Sequence, residues 1–170
     1  ENPTPSESPV AEQFQAVLLF ADISGFTLLT ERLTGAGGAE GAEKLADMLN
    51  GYFGQLIEII NDFGGDVVKF AGDALISVWP VEGDRDSQRT WTLRAAQCAL
   101  KIREKLHQYR VEDINLRLKV AISTGTITQA HVGGGFNRLE FLLAGRQLVE
   151  RVTANDMAEP GDILITPSAW

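Results

Sequence analysis

Cysteine is nearly missing from this sequence: Cys98 is the only one in 170 residues. A lone thiol excludes an internal disulfide and fits a reducing, cytoplasmic setting. Its neighbours Ala95, Ala96, Ala99 and Ile102 place it on a packed helix, as a core thiol. Long hydrophobic runs are missing too. None approaches the ~20 residues that a membrane span requires, and no signal peptide is visible. Positive charge is scarce: 15 Lys and Arg stand against 23 Asp and Glu, for a net charge of −8. That balance argues against a nucleic-acid partner held through its phosphates. It leaves phosphorylated substrates open, because a bound divalent cation reverses the local sign. The chain starts at Glu1 rather than Met, which points to a piece of something larger.

What is present suits one soluble globular domain with a substantial core. Residues 1–13, opening ENPTPSESP, are rich in Pro, Ser and Glu and read as a linker or disordered lead-in, with the domain over 14–170. An apolar run, Val17-Leu18-Leu19-Phe20, predicts a buried strand over 15–23. A helix should start near Gly25 or Phe26 and end before the flexible TGAGGAEG at 34–41. A second helix is expected over 42–63, where Leu45, Met48, Leu49, Phe53, Leu56, Ile57 and Ile60 recur at helical spacing. Strands are expected at 66–70 and 74–79 around the tight turn Ala71-Gly72-Asp73. A polar loop at 82–87 leads to a helix over 89–109, and an alternating strand follows at 116–124. Further strands are expected at 127–132 and 139–144, then a helix over 146–157 and a last strand at 162–166.

The opening β-α-β-β-α-β order predicts an α+β fold with a ferredoxin-like core. Its mainly antiparallel sheet would carry helices on one face, with extra C-terminal strands and a helix. In that topology the first and third strands are neighbours at the sheet centre. Asp22, at the end of the first strand, can then meet Asp73, in the turn before the third. Two convergent carboxylates suit a hard divalent cation, which takes one or two of them and keeps places for water and phosphate. The helix opening after Ser24-Gly25 offers free backbone N–H groups and a positive dipole end to phosphate oxygens. Taken singly, Asp22 reads as a helix N-cap and Asp73 as a turn former. Together they point to a metal and phosphate site.

Three stretches carry a resemblance: FADISGFT, FGGDVVKFAGDALISVW and LKVAISTG. In order and spacing they resemble the catalytic domain of class III nucleotidyl cyclases, from about Val17 to Trp170. The middle stretch is most similar to the first cyclase half of soluble, bicarbonate-responsive adenylyl cyclases. The resemblance implies that Asp22, Asp73 and the Ile23 carbonyl bind two ions, Mg²⁺ or Mn²⁺. One ion would lower the pKa of the ribose 3′-hydroxyl and the other would hold the β- and γ-phosphates of ATP. It implies a phosphate loop at Ser24, Gly25, Phe26 and Thr27, and a terminal-phosphate contact at Lys119. Without it, Lys119 on an alternating strand reads as a solvent-facing charge. Lys69, four residues before Asp73, falls in a bicarbonate pocket of such proteins. A lysine flanked by Val67, Val68 and Phe70 on a central strand also calls for an anionic partner on physical grounds, unless it snorkels to the surface.

The departures from the family pattern are equally specific. Val149 and Thr153 stand where self-sufficient members carry an Asn and an Arg that orient the ribose and stabilise the transferring phosphoryl group. Leu142 stands at a purine-reading position. Val152 replaces the second basic group of the bicarbonate pocket, leaving Arg151 or Arg146 as substitutes. The resemblance therefore implies the metal-bearing half of an adenylyl cyclase, inactive alone. Its partner would be a second cyclase domain, in cis or trans, or a second copy of the chain in isolation. A cyclase-like domain that binds nucleotide or anions without turnover remains open, as does a guanylyl cyclase half.

Overall fold

The structure of the chain, a computed structural model, describes residues 10–133, 139–146, 148 and 157–170. The strand β1 spans Val10–Ser24. The helix α1, Phe26–Asp62, follows and is bent at Gly38. Then come β2 (Asp66–Ala71), β3 (Ala74–Val81) and the helix α2 (Arg85–Leu106). The remaining strands are β4 (Tyr109–Val111), β5 (Ile114–Gly133), β6 (Leu139–Ala144) and β7 (Ile163–Ile165). Among the described residues no helix is long and apolar enough to cross a membrane.

The sheet runs β2-β3-β1-β5-β4, with β6 and β7 also paired to β5. All pairings are antiparallel except β5 with β7. The first four strands in that order are the ferredoxin-like core, and β1 and β3 are neighbours as expected. The run of apolar residues in β1 has a direct cause: both of its faces are buried. Val17, Leu19, Ala21 and Ile23 pack with Leu29, Leu56 and Ile60 of α1 and with Ala95, Cys98 and Ile102 of α2. Ala16, Leu18 and Phe20 face the other way, with Ala74, Ile76 and Val78 of β3 and Ile127 of β5. Both long helices thus lie on one face. Each fully buried aliphatic side chain contributes roughly 1.5–3 kcal/mol relative to exposure, which anchors β1 firmly enough to carry a charged residue, Asp22, near its end. Tyr52, omitted from the expected apolar face, is buried too, because its hydroxyl donates to the Leu106 carbonyl at 3.4 Å. Cys98 is fully buried, and burial pushes its thiol up to about 12, as a core role requires.

Several boundaries differ from the expectations. Residues 10–13, assigned to the lead-in, belong to β1, where they pair with Thr128 to His131 of β5. That pairing makes β5 one continuous strand where two were expected. The two expected helices after β1 are the two arms of α1, separated at Gly38 by a non-helical backbone of φ 54° and ψ −128°. The helix α2 begins four residues early, because Asp84 accepts a hydrogen bond from the Ser87 N–H at 3.1 Å and caps a polar first turn. The expected helix over 146–157 and the turn at 133–135 lie largely outside the described residues. Leu148 packs against the face of the sheet opposite α1 and α2.

Candidate functional site

Alternation along β1 decides where Asp22 goes. Ile23 packs under the helices, so Asp22, like Phe20 two positions before it, faces the opposite side. Across the ladder Asp22 lies opposite Ala74 of β3 and Lys119 of β5. Ala74 directly follows Asp73, and the Ile23 N–H donates to the Asp73 carbonyl at 3.3 Å. Asp22 and Asp73, distant in the chain, are thus brought to one end of the sheet, one on β1 and the other in the turn before β3. Ala71 and Ala74 close the turn that carries Asp73. Gly72 has φ 67°, and Asp73 is not in the positive-φ region. That is the pattern of a type II′ hairpin, in which the first turn position favours glycine.

Lys119 is not simply a solvent-facing charge. Its ammonium nitrogen lies 3.5 Å from Asp22 Oδ2, with both side chains 22% exposed. Leu118 and Val120 pack with α1 and α2, so Lys119 shares the opposite face with Asp22.

Ser24 ends β1 and Gly25 caps α1 with φ 100° and no side-chain hydrogen bond; the first turn holds no acidic residue. The first backbone bond of the helix runs from the Leu29 N–H to the Gly25 carbonyl, at 3.1 Å. The N–H groups of Phe26, Thr27 and Leu28 therefore face outward without intrahelical acceptors, at the positive end of the helix dipole. A methyl group at Gly25 would stand 3.2 Å from the Asn115 carbonyl oxygen. Beside this turn is an open depression of about 430 Å³, lined by Ser24, Gly25, Arg32, Asn115 and Arg117 among others. Neither arginine was singled out from the sequence. The signal for Arg117 was its place two residues before Lys119 on an alternating strand.

The donor set at Asp22 and Asp73 fits a hard cation: two carboxylates, with the Ile23 main chain beside them. Among the described residues no group of three or more His, Cys, Asp or Glu comes together.

Lys69 lies on β2, which is an edge strand and not the central strand expected. It is exposed, opposite Ile76, just after a register shift in the ladder. An edge position lets the ammonium reach water and removes the physical need for a buried anion. Arg146, also exposed, follows β6, whose end Ala144 pairs with Thr128. The Lys69–Ile76 rung continues through Phe20 to Ala121 of β5. Ala121 is about 23 Å along the strand from Thr128, so the sheet register does not bring Lys69 and Arg146 together. Arg151, Val149, Val152 and Thr153 lie outside the described residues. Leu142 is half-exposed.

Residues 10–169 match the family model described as the adenylate and guanylate cyclase catalytic domain. Adenylate cyclase type 10 of Rattus norvegicus is 36% identical over 96% of this chain, and that of Homo sapiens is 34% identical over the same share. The chain spans only 10% of the length of these relatives. Among solved structures, an adenylyl cyclase from P. aeruginosa superposes with a TM-score of 0.71 at 22% identity, covering 94% of this chain and 80% of that one. A non-canonical dimeric guanylyl cyclase domain from Blastocladiella emersonii gives 0.70 at 20%, covering 94% and 83%. At such identities the structural likeness speaks to the fold.

Proposed function

This chain belongs to the family of adenylate and guanylate cyclase catalytic domains, and we propose that it is the metal-bearing half of an adenylyl cyclase. In the reaction, the ribose 3′-oxygen of ATP bonds to the α-phosphorus. The bond from that phosphorus to the β-phosphate oxygen breaks, pyrophosphate leaves, and the 3′-hydroxyl proton is lost. The observation that carries the reading is the junction of Asp22 and Asp73 through the Ile23–Asp73 backbone contact.

Asp22, Asp73 and the Ile23 carbonyl would hold Mg²⁺ or Mn²⁺, which supplies Lewis-acid activation of the 3′-hydroxyl and neutralises phosphate charge. The N–H groups opening α1 bind phosphate oxygens and orient the chain of phosphates. Lys119 meets the charge that builds on departing pyrophosphate, from a position already beside Asp22. The names of the type 10 relatives favour the adenylyl reading. The fold is shared by both adenylyl and guanylyl cyclases and does not choose.

Val149 and Thr153 offer neither an amide nor a guanidinium, so a complementary second cyclase domain supplies those groups. The experiment compares cyclic AMP formation by this chain alone and with a cyclase domain that carries Asn and Arg at those places. We expect at least about a 10²-fold lower rate for the chain alone. Brisk turnover by the isolated chain would overturn the half-site reading. Nucleotide binding with no turnover in either sample would favour a regulatory domain.

A further inference from the structure

We propose that Arg117 is a further phosphate-contacting residue of this site, placed to meet the terminal phosphate of a bound nucleoside triphosphate. The inference rests on the nucleotide-binding reading above.

Leu116, Leu118 and Val120 of β5 pack on the helix side of the sheet. Arg117 and Lys119 therefore share the opposite face, the one that holds Asp22. Across the ladder Lys119 faces Asp22, and Arg117 faces Ser24. The Ser24 hydroxyl donates to the Arg117 carbonyl at 3.3 Å, which fixes the second rung. Two successive rungs thus present a carboxylate with an ammonium, then a hydroxyl with a guanidinium.

The three cations near this turn are not alike. Lys119 is paired with Asp22, and Arg32 with Asp113 at 2.8 Å. Arg117 is exposed and its guanidinium makes no hydrogen bond or ion pair among the described residues, although it lines the same depression as Ser24 and Gly25. In a chain of net charge −8, an arginine left without a carboxylate beside a phosphate-binding turn has a ready use. Its planar fork can take two oxygens of one phosphate, which an ammonium cannot. Arg117 lies about 7 Å further along the strand than Lys119. With Lys119 on the terminal phosphates, the extended Arg117 side chain meets the outer oxygens of a polyphosphate and not the α-phosphate beside the ribose. The contribution of Arg117 must therefore grow with the number of phosphates.

The test is calorimetric binding of AMP, ADP and ATP, each with Mn²⁺, to the chain and to Arg117→Ala, Arg117→Lys and Arg89→Ala. Arg89 is exposed on α2 and serves as a charge-matched control. We expect Arg117→Ala to lose about five- to tenfold in ATP affinity, little for AMP, with partial rescue by Arg117→Lys. Arg89→Ala should match the parent chain. An ATP affinity unchanged in Arg117→Ala, or an equal loss for AMP and ATP, overturns the proposal while the nucleotide reading stands. No ATP affinity in the parent chain overturns both.

Discussion

Lys119 and Asp22 face each other across β5 and β1, with the ammonium nitrogen 3.5 Å from Oδ2. A pair this accessible contributes at most about 1 kcal/mol to stability, so its consequence is positional. It sets the side chain proposed for phosphate against the carboxylate proposed for metal. Asp22→Ala and Asp73→Ala should each lower the affinity for Mn²⁺–ATP by at least about tenfold, as loss of a charged ligand does. Lys119→Met should weaken ATP binding while leaving the thermal midpoint within a few degrees of the parent. Unchanged Mn²⁺–ATP affinity in both aspartate variants would refute the two-carboxylate site.

Gly25 joins the strand to the phosphate-binding turn in a left-handed conformation, φ 100°. A side chain there meets backbone strain and the Asn115 carbonyl oxygen at 3.2 Å. Gly25→Ala should cost about 1–3 kcal/mol in urea unfolding and should weaken ATP more than Mn²⁺ alone. Parent-like stability would mean that the turn relaxes easily and does not hold the N–H groups in place.

The anion pocket proposed around Lys69 should give a weak bicarbonate response. Lys69 is on an edge strand, and the sheet register keeps Arg146 away from it. Bicarbonate titrated at fixed pH, on this chain paired with a complementary domain, should stimulate cyclic AMP formation only slightly. Lys69→Ala should remove that increment and leave folding unchanged. Strong stimulation that persists in Lys69→Ala would place the anion elsewhere.

Hydrogen bonds from the Ser87 backbone and hydroxyl hold the carboxyl of Asp84 below its ordinary pKa. A depressed carboxyl stabilises the fold above its unfolded pKa, near 4. That contribution disappears as pH falls through the folded value. The thermal midpoint of Asp84→Ala should therefore lie below the parent at neutral pH, and the gap should close below about pH 4. A gap that stays constant from pH 7 to pH 3 would show that the charge of Asp84 contributes nothing to the cap.

Local pattern accounts for much of what was legible. The double-sided apolar run of β1 and the Gly72-Asp73 turn each depend on residues within a few positions, and both lie where expected. The α2 cap was equally local. It was missed because Asp84 and Ser87 sit in a polar stretch that reads as a loop until the hydrogen bond is seen.

The sequence by itself determined that β1 is a buried strand with a carboxylate, Asp22, near its end, and that a second carboxylate stands in a hairpin turn. The tertiary structure alone decided what those groups meet. Residues 10–13 look like linker, yet they are strand because β5 offers Thr128 to His131 as partners. Lys69 looks central from its apolar flanks, yet among the described residues β2 pairs with β3 alone. Lys119 could have faced water, yet register puts it opposite Asp22, and the same register puts Arg117 opposite Ser24. The physical reason is common to all of these: ladder register and strand order are set by contacts between segments distant in the chain. A shift of one residue would have turned every one of these side chains to the other face.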